Sequence, residues 1–249
     1  MKKLSIIIPL YNEEKTVLSV LDEIVKVWEY LKKDNIWIEV IISNDGSTDN
    51  SVKKVNDFIV NKDNFILIDN KINHWKWFAV KEGIKKSTWD YIIIQDADLE
   101  YNPYDYLYLI KELDNKKLDF LYGSRILWIK KYKNTYSTFS FLLWWLLVSM
   151  ITSILTFKKI TDEPTCYKLF KWDLKKLLVC PNENGFEWEP AVTMLLFRKW
   201  YKYGEYPIHY KARKPEEWKK IKFSDWFKAI YTLFKWKFKK IYCNNDLKK

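Results

Sequence analysis

The chain has 249 residues, of which 48% are hydrophobic, and a formal net charge of +11. This composition excludes a mostly disordered chain, and the length suits one core, as a single domain with an extension. The basic balance predicts anionic partners such as acidic lipid, phosphorylated substrates or nucleic acid. Three cysteines, Cys166, Cys180 and Cys243, are too few and too scattered for a disulfide framework or a zinc site, which favours a reducing cytoplasmic setting.

Glycine and tryptophan occur in abnormal numbers. The chain holds 5 glycines and 14 tryptophans. Ordinary proteins carry about 7% glycine, which corresponds to about 17 residues here. The glycine shortfall is therefore about a dozen, close to the excess of tryptophan.

The N-terminal half alternates between strand-like and helix-like segments. The run "LSIIIPL" predicts a buried strand rather than a signal peptide, because Pro9 and then acids interrupt it. An amphipathic helix through Val17 follows, with Asn12 as its predicted cap and Glu13 and Glu14 in its first turn. Further strands are predicted at "IWIEVIIS", "NFILID" and "YIIIQ". Alternation with continuous apolar strands predicts a mostly parallel sheet covered by helices on both faces.

Polar segments follow the predicted strands at the points where ligands bind in such sheets. Ligands bind outside the carboxyl ends of the strands. The segments at this edge are 9–13, 44–49, 70–77 and 96–100.

The C-terminal half has two apolar segments of a different kind. The run 139–157 has no charged residue and is long enough to span a thin bilayer. Its Ser and Thr residues favour a helix in the membrane interface, or one buried in the protein, over a true span. The tail "KFSDWFKAIYTLFKWKFKKIY" predicts an amphipathic helix. Such a helix usually packs on its own domain. Here the lysines between the aromatic residues favour binding of the helix to an anionic membrane surface.

The acids after "YIIIQ" predict a metal site. Asp96 and Asp98 lie one residue apart at a strand end, where both can face one cleft and hold Mg²⁺ or Mn²⁺, with Glu100 as a further ligand. An isolated pair of this kind is more often a solvated turn. Its position after a buried strand, with another acidic turn after another strand, favours the metal.

The turn "SNDGSTD" predicts a nucleoside contact. Asp45 can accept hydrogen bonds from a base or ribose, and Gly46 permits the tight turn. The sequence contains neither the phosphate loop G-x-x-x-x-G-K-[ST] nor the dinucleotide loop G-x-G-x-x-G. A nucleotide would therefore bind through a metal and scattered side chains.

Five motifs together resemble a known family. "IIIPLYNEE", "SNDGSTD", "IIIQDADLEYNP", "LYGSR" and "ENGFEWEP" have the order and spacing of family 2 glycosyltransferases. The chain is most similar to the branch that makes dolichyl- or polyprenyl-phosphate hexoses, over residues 3–238. The resemblance implies the GT-A (Rossmann-like) α/β fold with C-terminal amphipathic helices. It also implies a transferase domain at 1–215, divided at 125 into nucleotide-sugar and acceptor halves, and a basic amphipathic extension at 216–249.

The resemblance also implies roles for individual residues. Asn44 replaces an acid that relatives often carry, and Glu187 and Glu189 lie on the acceptor side without an assigned role. The residues implied in nucleotide-sugar binding are Pro9, Tyr11, Glu13, Asp45, Lys76, Asp96 and Arg213. The implied metal ligands are Asp96, Asp98 and Glu100, and the implied catalytic residues are Asp98 and Arg125, with Arg125 facing the acceptor phosphate.

The resemblance implies metal-dependent transfer of a hexose, with inversion at the anomeric carbon, from a donor of the GDP-mannose or UDP-glucose type to polyprenyl phosphate. The protein would be cytoplasmic and peripheral at the inner face of the cell membrane. A lipid phosphate suits the sequence because its oxygen is already anionic, and no clear general base is present. A saccharide acceptor and an inactive membrane-binding relative remain alternatives. Nucleic acid ranks low because no reading motif is recognisable.

Several tryptophans stand where these relatives favour glycine. Trp75, Trp77 and Trp89 are the main cases, and Trp200, Trp218 and Trp226 are others. Glycine is expected at turns that need positive φ or a close backbone approach. Three explanations are open. The tryptophans are genuine and the backbone rearranges around them, or they mark a degenerate, inactive relative. In the third, the gene comes from a cell that reads UGA as glycine, and these codons were translated as tryptophan. The matching shortfall and excess favour the third hypothesis.

Overall fold

The computed structural model describes residues 1–136, 138–213, 223–240 and 243. Within them the strands are β1 (Lys2–Leu10), β2 (Ile36–Asp45), β3 (Phe65–Asn70), β4 (Tyr91–Ile94), β5 (Phe120–Ser124), β6 (Lys168–Lys171) and β7 (Tyr203–Pro207). The helices are α1 (Val17–Lys32), α2 (Ser51–Ile59), α3 (Lys76–Lys86), α4 (Asp105–Asn115), α5 (Ile129–Tyr132), α6 (Phe139–Thr156), α7 (Lys175–Leu178), α8 (Trp188–Arg198) and α9 (Phe223–Phe238).

The strands form one mixed sheet in the order β3-β2-β1-β4-β6-β5-β7. All neighbours are parallel except the two pairs made by β6, which runs antiparallel to β4 and β5. The predicted mostly parallel α/β sheet is therefore confirmed. The antiparallel β6 was not predicted, because its four residues "KLFK" carry too short a pattern to identify a strand.

Helices cover both faces of the sheet, as predicted. Ile6, Ile7 and Ile8 of β1 are fully buried although successive strand residues point to opposite faces. Gly83 of α3 lies against Ile7, where a Cβ atom would come within 2.5 Å of the isoleucine methyl group. The same sheet core includes Ile41, Ile93 and most other residues of the central strands.

Helix α1 begins later than predicted. Its first residue is Val17, Thr16 precedes it, and its first turn contains no acid. Asn12 lies in the preceding loop with φ of 52°, and its side-chain oxygen accepts a hydrogen bond from the backbone N–H of Thr48. The predicted Asn12 cap is wrong, because Asn12 joins two loops at the sheet edge.

The prediction that the cysteines form no disulfide is also wrong. Cys180 and Cys243 are bonded, with Cα atoms 5.3 Å apart, and Cys166 is free and buried. The two cysteines are 63 residues apart in sequence. They meet because α9 packs against α8 and α6, a contact that sequence spacing does not reveal.

The apolar helix α6 lies mostly on the surface. Within the described chain, α6 alone is long and apolar enough to cross a membrane by length and composition, and 17% of it is buried in the protein. Val148 and Thr152 are buried, and Val148 packs in one cluster with Leu233 of α9. The outward side chains include Leu143, Leu147, Met150 and Ile154, which are 40–62% exposed. The alternative of a core helix is therefore excluded.

Candidate active site

Most of the predicted nucleoside and metal residues lie at the carboxyl ends of β1, β2 and β4, which are neighbours in the sheet. Asp45, at the end of β2, is almost fully buried and accepts a hydrogen bond of 2.8 Å from the backbone N–H of His74. Tyr11 is 36% exposed, just beyond β1. Pro9 pairs in register with Ser43 of β2. The structure therefore brings the predicted nucleoside residues to one edge.

The loops after β1 and β2 bind each other through polar side chains. The backbone N–H of Asn12 donates to Ser47 Oγ at 3.0 Å, and that of Glu13 donates to Ser51 Oγ at 2.9 Å. Asn44, which replaces the expected acid, donates from Nδ2 to Asp69 at 2.8 Å. Asn44 thus supports the turn by contacting β3.

The two aspartates after β4 are held by different cations. Asp96 pairs with Lys76 at 2.6 Å, and Asp98 pairs with Arg213 at 2.7 Å. The Arg213 guanidinium also lies 3.4 Å from Glu13 and 3.5 Å from Glu100. Residues far apart in sequence thus form one network of four carboxylates and two cations.

Burial and neighbouring carboxylates raise the pKa of Asp98. Burial is the largest cause, the negative charges of Asp96 and Glu100 add to it, and Arg213 opposes it, giving a pKa of about 8. Burial alone would lower the pKa of Lys76, but Asp96 raises it above the ordinary lysine value. Lys76 therefore stays charged beside Asp96.

The three predicted metal ligands do not form one cluster here. Within the described ranges, no three His, Cys, Asp or Glu side chains are grouped so as to hold a metal ion. Asp96 pairs instead with Lys76 and Asp98 with Arg213, so the assignment of these three carboxylates as metal ligands stays a prediction. The donor chemistry nevertheless fits Mg²⁺ or Mn²⁺, since carboxylate oxygens are the ligands that these ions prefer and the negative charges of Asp96 and Glu100 both act on Asp98.

Arg125 lies in a buried ion pair. Its Nε and Nη2 donate to both carboxylate oxygens of Asp162, at 2.8 and 2.7 Å. Its guanidinium stacks 3.7 Å from the ring centroid of Trp145 on α6, and the Tyr210 ring lies beyond. The structure thus places Arg125 between the sheet edge and α6. Asp162, its partner, was missed because no motif marks it.

A second group of buried charges was also missed. Lys168 is fully buried and donates to the backbone oxygens of Glu163 and Thr165, and its Nζ is 3.6 Å from Glu189. Burial raises the pKa of Glu163 to about 7, against the opposing charge of Lys168. Burial also raises the pKa of Glu189. Glu187 precedes α8 and is only partly buried. Lys168 reads as an ordinary surface residue in sequence, so only the fold reveals this group.

A cleft lies beside Asp96 and Asp98. It has a volume of about 530 Å³ and is shaped by the loop after β4, the start of α1 and the segment 209–211. Glu100 and Tyr210 line it, but neither Asp96 nor Asp98 does. The cleft therefore borders Glu100 of the network and not the two aspartates.

The tryptophans at expected glycine positions divide into two kinds. Trp75 has φ of 78° and ψ of 154°, and Trp200 has φ of 63°, as the glycine hypothesis requires. Trp77 instead lies inside α3, fully buried and stacked 4.2 Å from the Trp188 ring. Trp89 has no positive φ, because α3 ends at Lys86 and Ser87 follows in an extended conformation. Trp218 and the side chain of Trp226 lie outside the described residues.

A mostly parallel α/β sheet with helices on both faces and paired acids after its fourth strand is the arrangement of the GT-A fold. The family model for glycosyl transferase family 2 matches residues 5–178, and the chain belongs to this family. The predicted family and the predicted class of enzyme are thereby confirmed.

The relatives differ in acceptor. The chain is 27% identical over 214 residues to a dolichyl-phosphate beta-glucosyltransferase of Trichomonas vaginalis, covering 83% of this chain and 65% of that one. It is 34% identical over 122 residues to a poly-beta-1,6-N-acetyl-D-glucosamine synthase of Staphylococcus epidermidis, covering 49% of this chain and 28% of that one. The first relatives are matched over only 28–52% of their length.

A solved structure confirms the GT-A fold. Glucosyl-3-phosphoglycerate synthase of Mycobacterium tuberculosis, in complex with Mn²⁺, uridine diphosphate and phosphoglyceric acid, superposes with a TM-score of 0.66. Sequence identity is 13%, and the match covers 95% of this chain and 78% of that one. At this identity the likeness concerns the fold alone.

Proposed function

We propose that this protein transfers a hexose from a nucleotide-diphosphate sugar, of the GDP-mannose or UDP-glucose type, to a polyprenyl phosphate. The observation that carries the proposal is the network in which Asp96 and Asp98 face Lys76 and Arg213 beside the nucleoside loops. Cations and carboxylates at one strand edge suit a diphosphate leaving group. The family and the dolichyl-phosphate relative support the same reaction.

Different site residues would bind different parts of the nucleotide-sugar donor. Pro9, Tyr11, Glu13 and Asp45 bind the nucleoside at the ends of β1 and β2. Asp96 and Asp98, with Glu100 beside them, would hold Mg²⁺ or Mn²⁺, which supplies positive charge to the departing diphosphate. Lys76 and Arg213 add positive charge from opposite sides of the acids.

The acceptor needs positioning more than deprotonation. A lipid phosphate attacks through an oxygen that is already anionic, so no general base is required. We place Arg125 on the acceptor side, because its guanidinium stacks on Trp145 of α6, the helix with the exposed apolar surface. Arg125 therefore lies next to the helix that would contact the lipid.

A surface for the lipid is formed by α6 and α9. The two helices pack together through Val148, Leu233 and Trp236, and many of their outward side chains are apolar. Lys158 and Lys159 follow α6 and are exposed, as is Lys239 after α9. Apolar side chains bordered by lysines favour an anionic bilayer, so we propose peripheral attachment at the cytoplasmic face of the membrane.

A saccharide acceptor is the second candidate. The match to the poly-beta-1,6-N-acetyl-D-glucosamine synthase favours it, because that relative's name describes a polysaccharide product. An inactive, membrane-binding relative is the third.

A donor and acceptor panel tests the proposal. GDP- and UDP-hexoses are incubated with polyprenyl phosphate, with an oligosaccharide, or with neither, in Mn²⁺ or in EDTA. We expect lipid-linked sugar only with polyprenyl phosphate and metal. Asp98→Asn should lower the rate by at least about 100-fold, and the exposed control Asp57→Asn should not change it. Product on the oligosaccharide alone would support the saccharide acceptor. No product with any combination of donor and acceptor would support the inactive relative.

A further inference from the structure

Arg213 lies where positive charge is most needed in the site. Its guanidinium is 2.7 Å from Asp98, 3.4 Å from Glu13 and 3.5 Å from Glu100. All four side chains are at most 20% exposed. One cation therefore balances carboxylates from the loop after β1 and the loop after β4.

The backbone near Arg213 is fixed to the same network. The backbone N–H groups of Lys211 and Arg213 donate to the main-chain oxygen and to Oε1 of Glu100, both at 2.9 Å. Earlier in the segment, His209 is bonded to Asp105, and the backbone N–H of Tyr210 donates to Asn134. The guanidinium is thus placed by a strap, residues 209–213, in which every residue is hydrogen-bonded to a neighbouring segment.

We infer that Arg213 is a built-in counter-ion that competes with the divalent cation for Asp98. The Arg213 guanidinium and a metal ion would use the same carboxylate oxygens, and two cations within a few ångströms repel each other. The free protein should therefore bind metal weakly. Metal binding requires the guanidinium to leave Asp98.

A nucleoside diphosphate provides the alternative partner, and here the inference rests on the proposed function. Phosphate oxygens accept paired hydrogen bonds from a guanidinium at least as well as a carboxylate does. Binding of the diphosphate would draw Arg213 from Asp98 and make room for the metal. By linkage, nucleotide and metal then strengthen each other's binding.

A simple structural clamp would behave differently. If Arg213 only held the strap in place, its loss would loosen the acids and leave metal binding unchanged or weaker. If it competes, its loss removes the competitor and metal binding becomes tighter. The sign of the change in metal affinity distinguishes the two roles.

The test is direct Mn²⁺ titration, with free Mn²⁺ followed by electron paramagnetic resonance, on the whole chain. Arg213→Gln should bind Mn²⁺ about tenfold more tightly than wild type without nucleotide. Added UDP or GDP should tighten Mn²⁺ binding of wild type and have much less effect on Arg213→Gln. The control Lys211→Gln changes an exposed side chain of the same strap and should behave as wild type. Asp98→Asn should weaken Mn²⁺ binding with or without nucleotide.

Equal or weaker Mn²⁺ binding by a folded Arg213→Gln would overturn the inference. If that variant does not fold, Arg213→Lys is titrated in its place. The lysine ammonium makes fewer bonds to the acids than the guanidinium does, so this variant should still bind Mn²⁺ measurably more tightly than wild type. Tighter Mn²⁺ binding without sugar transfer would leave the inference intact and refute the proposed function. Transfer with unchanged Mn²⁺ binding would refute the inference alone.

Discussion

At the scale of single residues, Trp75 shows the clearest conflict between a side chain and its backbone. Its φ of 78° with ψ of 154° lies in a region that is essentially reserved for glycine. The indole is 67% exposed and so gains little from burial. Trp200, with φ of 63° and 90% exposure, repeats the pattern. Both positions favour the hypothesis that the cellular protein carries glycine there.

We expect Trp75→Gly to stabilise the protein by about 1 kcal/mol, since it removes backbone strain of about 1–3 kcal/mol at the cost of some chain entropy. The measurement is urea unfolding. Trp37→Gly is the control, because Trp37 is also partly exposed but lies in β2, where glycine should destabilise. Destabilisation by Trp75→Gly, or UGG codons at Trp75, Trp77 and Trp89, would count against glycine.

The buried Glu163 makes stability depend on pH. Its pKa in the folded protein is about 7, above the ordinary value of 4.5, because burial disfavours the charged form. The folded state therefore loses stability as pH rises from about 4.5 to about 7. Between pH 5 and pH 8, wild type should lose about 2 kcal/mol relative to Glu163→Gln.

The comparison requires unfolding free energies of both proteins at both pH values. Glu29→Gln serves as the control, because the Glu29 side chain is 66% exposed, and should follow wild type. A constant difference between wild type and Glu163→Gln across this range would show that Glu163 ionises normally.

At the scale of secondary structure elements, the outward face of α6 distinguishes a membrane surface from ordinary packing. We expect the double substitution Met150→Glu and Ile154→Glu to reduce co-sedimentation with anionic vesicles by at least about tenfold, because two apolar contacts are lost and two negative charges are added. Unfolding temperature should stay nearly constant, since these side chains are 53% and 62% exposed.

The matched control is Val60→Glu, because Val60 is 60% exposed at the end of α2, an element outside the α6–α9 surface. It should reduce vesicle binding only slightly. An equal loss in both proteins would indicate a general effect of charge, and no loss in the double variant would exclude α6 as the contact.

At the scale of the whole molecule, the Cys180–Cys243 bond ties the C-terminal end to α7 and α8. The two cysteines are 63 residues apart, and a cross-link that closes a loop of this length stabilises a protein by about 4 kcal/mol, because it restricts the unfolded chain. Reduction should therefore lower the unfolding free energy by up to that amount. Cys243→Ser should be destabilised similarly and show no further response to a reductant. A reductant-insensitive wild type would mean that the bond is absent in solution.

The sequence by itself determined the parallel half of the sheet, the family and the position of the acids at the strand ends. Continuous apolar runs and strand-end motifs are local, so they survive in a one-dimensional pattern. The tertiary structure decided the partners: Arg213 for Asp98, Asp162 for Arg125, Lys168 for Glu189 and Cys243 for Cys180. Such partners are tens of residues apart, and only chain packing fixes their distances. The same reason explains Asn12, which looks like a helix cap locally but binds another loop in the folded chain.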